Sequence, residues 1–110
     1  MSRDALGTFE LTVLLALMRL DDDSYGVPIA NMIEKCTGRE VIVSSVYAAL
    51  ERLTRKGLVL SHVGEPTPER GGRAKRYFRV TAKGVRQARR VLGEFSQLSH
   101  AIPVTEGGAQ

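Results

Sequence analysis

A mainly α fold with one small β-hairpin is what this chain predicts, and three observations predict it. Apolar residues recur at helical spacing in four separate stretches of its 110 residues. Two short β-prone runs, Leu58 to Val63 and Arg76 to Val80, flank a loop rich in Gly, Pro and cations. The third helical stretch leads straight into the first of these runs. A helix with one polar face followed by a cation-tipped hairpin is the layout of a winged helix-turn-helix, here with a C-terminal helix suited to dimerisation.

Residues 1–7 read as a flexible arm, and Thr8 can cap the first helix. Its body, FELTVLLALMRL, is apolar nearly all round, wider than the stripe of a surface helix. That breadth implies burial on two sides, by its own domain and by a second subunit, and makes Phe9, Leu11, Leu14, Leu15 and Met18 candidates for a dimer interface. Asp21, Asp22 and Asp23 end the helix.

Ser24 or Asp23 is expected to cap the second helix, with Pro28 in its first turn, where a missing N–H costs nothing. Ile29, Met32, Ile33 and Cys36 fall at i, i+3, i+4 and i+7, so Cys36 reads as a small core residue, and Gly38 supplies a left-handed stop. Arg39 to Val43 is a β-prone connector. Ser44 or Ser45 then caps the third helix, whose inward face is Val46, Leu50 and Leu53 and which Gly57 ends. Ser45, Ala48, Arg52 and Arg55 share its other side.

In the hairpin, Phe78 and Val80 point to the core, while GEPTPERGGRAK carries too little apolar material to stay down and projects. Thr81 begins the last helix. Val85, Ala88, Leu92, Phe95, Ser99 and Ile102 form a seam for a helical partner, and residues 103–110 read as a disordered tail. The expected organisation is therefore a DNA-binding unit over 8–81 and a dimerisation helix over 82–102.

Charge is polarised along the chain. Between Arg52 and Arg90 stand twelve Lys/Arg against two Glu, a net +10 in a chain whose total is +4, so the remainder carries −6. Such a field favours a polyanion on one face. Ser44, Ser45 and Ala48 are small enough to let the helix backbone approach base edges. Tyr47 either packs in the core or sends its hydroxyl to a phosphate, and Arg52 and Lys56 suit backbone contacts. Arg70, Arg73, Lys75 and Arg76 surround Gly71 and Gly72 at the wing, where arginines can enter a narrow minor groove.

Other function classes find little support. No apolar run is long enough to span a bilayer, so no membrane partner is expected. Asp4, Gly7 and Glu10 interrupt any leader-like opening, and the single Cys36 forms no internal disulfide, which together favour the cytoplasm. His62 and His100 share no metal-ligand spacing with Cys36, and no nucleophile, base and orienting group come together. Catalytic residues, metal ligands and cofactors are expected to be absent, and His62 reads as a partly exposed strand residue.

The segments Asp23-Ser24-Tyr25-Gly26-Val27-Pro28-Ile29, VYAALERLTRKGLV and RGGRAKRYFRVTAKG occur in the order and spacing of the PadR family of bacterial transcriptional regulators. From about Thr8 to Ser99 the chain resembles a short member of that family. The resemblance implies a homodimeric winged helix whose last helix meets the other subunit's first, and sequence-specific binding of double-stranded DNA, usually as a repressor on an inverted repeat. It also implies that Tyr47 is the recognition-helix tyrosine and that Arg73, Lys75 and Arg76 are the basic residues of the wing. Ser44-Ser45-Val46-Tyr47-Ala48 stands where the family usually has Gly-(Ser/Thr)-Leu-Tyr-Pro. Two rival readings remain at this stage: a winged-helix adaptor that docks on proteins without DNA, and a switch answering to an unidentified small-molecule effector or to oxidation of Cys36.

Overall fold

Four helices and a two-stranded antiparallel hairpin follow one another in the order α1 (Thr8–Leu20), α2 (Gly26–Thr37), α3 (Val43–Arg55), β1 (Val59–Val63), β2 (Arg76–Val80) and α4 (Ala82–Ser99). The computed structural model describes residues 5–21, 23–64 and 75–103. The expected mainly α fold with a small hairpin is the observed one, and the strands match expectation to one residue. Arg70 and Arg73, most of the N-terminal arm and nearly all of the tail lie outside the described residues.

The core is shared by all elements. Val13, Leu14 and Leu17 of α1 meet Ile29 and Ile33 of α2 and Val46, Ala49, Leu50 and Leu53 of α3, with Leu58, Val59, Phe78 and Ala88 closing the sides. The breadth of apolar surface on α1 is thus largely absorbed within one chain. Leu11 and Leu14 belong to this core, as does Ala88 of α4, so these three expected interface residues offer almost nothing to a second copy. Phe9, Leu15, Met18 and Val85 are half-buried, and Leu92 and Phe95 are exposed.

Three helix starts depart from expectation. Gly7, not Thr8, is the N-cap of α1, and its N–H donates to Glu10 Oε1 at 3.1 Å. Tyr25, not Ser24 or Asp23, precedes α2. The reason is non-local: the Ser24 N–H donates to the Phe78 carbonyl at 3.0 Å and its carbonyl accepts the Phe78 N–H at 2.7 Å, so Ser24 serves as a third, one-residue strand of the sheet. Ile42, not a serine, caps α3, because its carbonyl already accepts from Ser45 at 2.9 Å and Val46 at 3.2 Å. Ser44 and Ser45 consequently lie inside the first turn with their side chains exposed.

Cys36 is corrected as well: it is exposed, its Sγ 3.7 Å from Met32 Sδ. The buried face of α2 is Gly26, Ile29, Ala30 and Ile33. Its last turn runs past the core, and Thr37 beside Cys36 is exposed too.

The junction between α3, the hairpin and α4 is closely tied. Gly57, at φ 77°, takes the left-handed turn after α3. Thr81 Oγ1 donates to the Gly57 carbonyl at 2.8 Å and accepts the Gly84 N–H at 3.0 Å, while the Thr81 N–H donates to the Leu58 carbonyl at 3.0 Å. One threonine thus caps α4 and pins it to the turn where β1 begins. Beyond Val91 the helix leaves this support. Leu92, Phe95 and Leu98 of α4 and Ile102 just beyond it are 42, 57, 74 and 53 % exposed, apolar side chains that the described residues leave largely uncovered.

Candidate nucleic-acid interface

The side of α3 facing away from the core is set by its buried residues, Val46, Ala49, Leu50 and Leu53. At 100° per residue the opposite face carries Ser44, Ala48, Glu51 and Arg55, all exposed. Ser45, Arg52 and Lys56 flank it toward α1. Tyr47 and Thr54 flank it toward the hairpin. The outward stripe therefore includes Glu51, which the sequence pattern alone does not single out, and is rotated away from Arg52.

Arg52 and Lys56 are engaged. Arg52 Nε donates to Glu10 Oε2 at 2.7 Å; Lys56 Nζ donates to Glu10 Oε1 at 2.6 Å and to the Ala5 carbonyl at 2.8 Å. The Glu10 side chain is only 8 % exposed. Burial pushes its carboxyl up, but the Lys56 ammonium, the Gly7 N–H and the Arg52 guanidinium outweigh that cost and hold it below the ordinary value of 4.5. These two cations thus clamp α1 to α3. Arg52 keeps its terminal nitrogens for an anion at the rim; Lys56, the more buried, has less to spare.

Tyr47 takes the packed position. Its ring is half-buried, 6.0 Å from Phe78, and its hydroxyl accepts the Gly26 N–H at 3.1 Å. An accepting phenol still has its own proton to donate, at the N-terminal end of α2, where a phosphate is favoured. Gly26 has to be glycine for this packing: a Cβ there would stand 2.4 Å from the Tyr47 ring. Gly26, the first residue of α2, and the tyrosine of α3 thus form one contact.

The base of the wing is a cluster of rings. Lys75 Nζ lies 3.6 Å from the Tyr25 ring centroid. Tyr25 meets Tyr77 edge-on at 5.8 Å, and Tyr77 stacks on His62 at 5.7 Å. His62 Nε2 lies 2.6 Å from Asp23 Oδ2. Lys75 is therefore folded onto the loop before α2. Arg76 is exposed and donates to Ser61 Oγ at 3.1 Å, which keeps it beside α3. No local pattern foretells this cluster, whose members come from three separate parts of the chain.

Between α3 and the inner face of the hairpin runs an open cleft of about 590 Å³ lined by Tyr47, Glu51, Thr54, Arg55, Ser61, Arg76 and Phe78. Among the described residues no three His, Cys, Asp or Glu side chains converge to hold a metal ion, and no helix is long and apolar enough to cross a membrane.

A solvent-facing helix set beside a hairpin, with cations along the cleft, defines a winged-helix protein of the DNA-binding type. The sequence profile described as the transcriptional regulator PadR-like family matches residues 14–90, well over half of the chain, and the chain belongs to that family. Solved structures agree. A transcriptional regulator from Clostridium thermocellum is 25% identical, with a TM-score of 0.67 over 82% of this chain and 84% of that one. A PadR family transcriptional regulator from Eggerthella lenta is 26% identical, with a TM-score of 0.64 over 82% and 80%. A PadR-like transcription factor from Bacteroides fragilis, 22% identical, shares the fold with a TM-score of 0.72 over 84% of each chain. No curated protein matches the sequence. Members of the family are transcription regulators, and the chain is a regulator and not an enzyme.

Proposed function

We propose that this regulator is a cytoplasmic homodimer that represses transcription by clasping an inverted-repeat operator. The observation that carries the reading is the apolar strip of α4 that the described residues leave exposed, in a chain whose α3 and hairpin leave a cleft open with Arg55 and Arg76 in its lining. A strip of this kind, continuous with an anchored helix, suits a second copy. Residues 8–81 then form the DNA-binding unit and 82–102 the dimerisation helix, with 1–7 as an arm and 103–110 as a tail. Phe9, Leu15, Met18, Val85, Leu92 and Phe95 supply the interface.

On the duplex, Ser44, Ser45 and Ala48 face base edges in the major groove. Tyr47, Arg52, Lys56, Arg70, Arg73, Lys75 and Arg76 serve the phosphates and the flanking groove. The cations of the wing make affinity fall steeply with salt. Replacing Arg73 and Arg76 by alanine should weaken operator binding broadly and flatten the plot of log affinity against log salt by about 0.9 for each phosphate no longer neutralised. Gel-shift titrations over a salt series measure both quantities. Unchanged affinity and slope would remove the wing from the interface, and salt-insensitive binding by the wild type would favour a protein-docking adaptor.

A further inference from the structure

Glu51 is the only acidic residue of α3 and lies on its outward face between Ala48 and Arg55. Among the described residues it forms no hydrogen bond and no ion pair, although Arg55 stands one turn along the same helix and both line the same cleft with Arg76. Glu10 differs: it is buried, and two cations bind it.

An uncommitted carboxylate on that face meets a surface that mostly repels it. Phosphates are anionic, and guanine N7 and O6, adenine N7 and thymine O4 are all acceptors. The exocyclic amino groups donate, and cytosine N4 does so without an acceptor beside it on its own major-groove edge. We propose that Glu51 is a specificity-determining residue that accepts a hydrogen bond from cytosine N4 in each half-site. This rests on the reading of α3 as the base-facing helix. The same negative charge weakens binding to every sequence lacking a donor at that place, so Glu51 lowers non-specific affinity as it selects its base.

The test is selection from random duplex DNA by the full chain and by Glu51→Gln and Glu51→Ala, followed by titration of the selected and of a random duplex. The wild type should select cytosine at one position per half-site. Glu51→Gln should move that position to adenine, whose N6 and N7 fit an amide. Glu51→Ala should lose preference there, with affinity for the wild-type operator falling about fivefold to hundredfold while random-duplex affinity holds or rises. The same base selected by all three proteins overturns the assignment, as does an alanine variant weakened equally on both duplexes. A wild type that binds no duplex takes the reading of α3 down with it.

Discussion

Gly84→Ala should destabilise the protein by about 3 kcal/mol, at the upper end of what a single overpacking change costs. A Cβ at Gly84 would stand 2.2 Å from the Leu58 carbonyl oxygen and 2.8 Å from Val80 Cγ1. The carbonyl cannot retreat freely, because it also accepts the Thr81 N–H at 3.0 Å. Relief requires α4 to lift away from the hairpin, which breaks the threonine cap and uncovers Ala88. In a domain of this size each kcal/mol moves the melting midpoint by roughly 4–8 °C, so thermal melts followed by circular dichroism should show a loss of at least about 12 °C. Gly93→Ala is the control on the same helix. Nothing lies within 4 Å of its added Cβ, and the better helix propensity of alanine should stabilise by up to about 1 kcal/mol. Equal effects of the two substitutions would contradict the close approach of α4 to Leu58.

Glu10→Gln should cost about 2 kcal/mol, below the range for a fully buried pair because Arg52 is 42 % exposed. Lys56 has the larger share, its side chain being 18 % exposed and 2.6 Å from the carboxylate. The pH dependence has a definite sign. The Glu10 carboxyl lies lower in the folded protein than its ordinary 4.5, so the unfolded chain binds its proton first as pH falls. Its contribution is complete above that ordinary value and is lost as pH drops through the folded one. Denaturant titrations from neutral to acid pH should therefore converge for the wild type and Glu10→Gln at the acid end. A difference that persists undiminished there would mean that the carboxylate charge is not what binds α1 to α3.

Periodicity and turn chemistry make the element order legible: the Gly38 and Gly57 stops, the Thr81 start and both strands follow from local sequence. Helix starts are less legible where a distant segment competes. Ser24 has a good capping side chain, but its backbone pairs with Phe78 across the fold, and that pairing delays α2. Ser44 and Ser45 likewise look like caps until the Ile42 carbonyl is seen to begin α3. The clamp of Glu10 on Arg52 and Lys56 joins residues 42 and 46 positions apart, a separation no window spans. Sequence spacing therefore shows neither that Arg52 and Lys56 are tied to α1 nor that Glu51 lies in the outward stripe. The first helix reads as facing two partners because its apolar breadth is the same whether the second cover is another subunit or α2, α3 and α4 together.

Hydroxyl-radical footprinting on a selected duplex tests the central claim most directly, since it reports how many surfaces of the regulator lie on DNA and how far apart. Two protected patches on one side of the helix, about one turn or 34 Å between centres, are the predicted result. A lone half-site patch, or cleavage unchanged by the protein in dilute buffer, would contradict it.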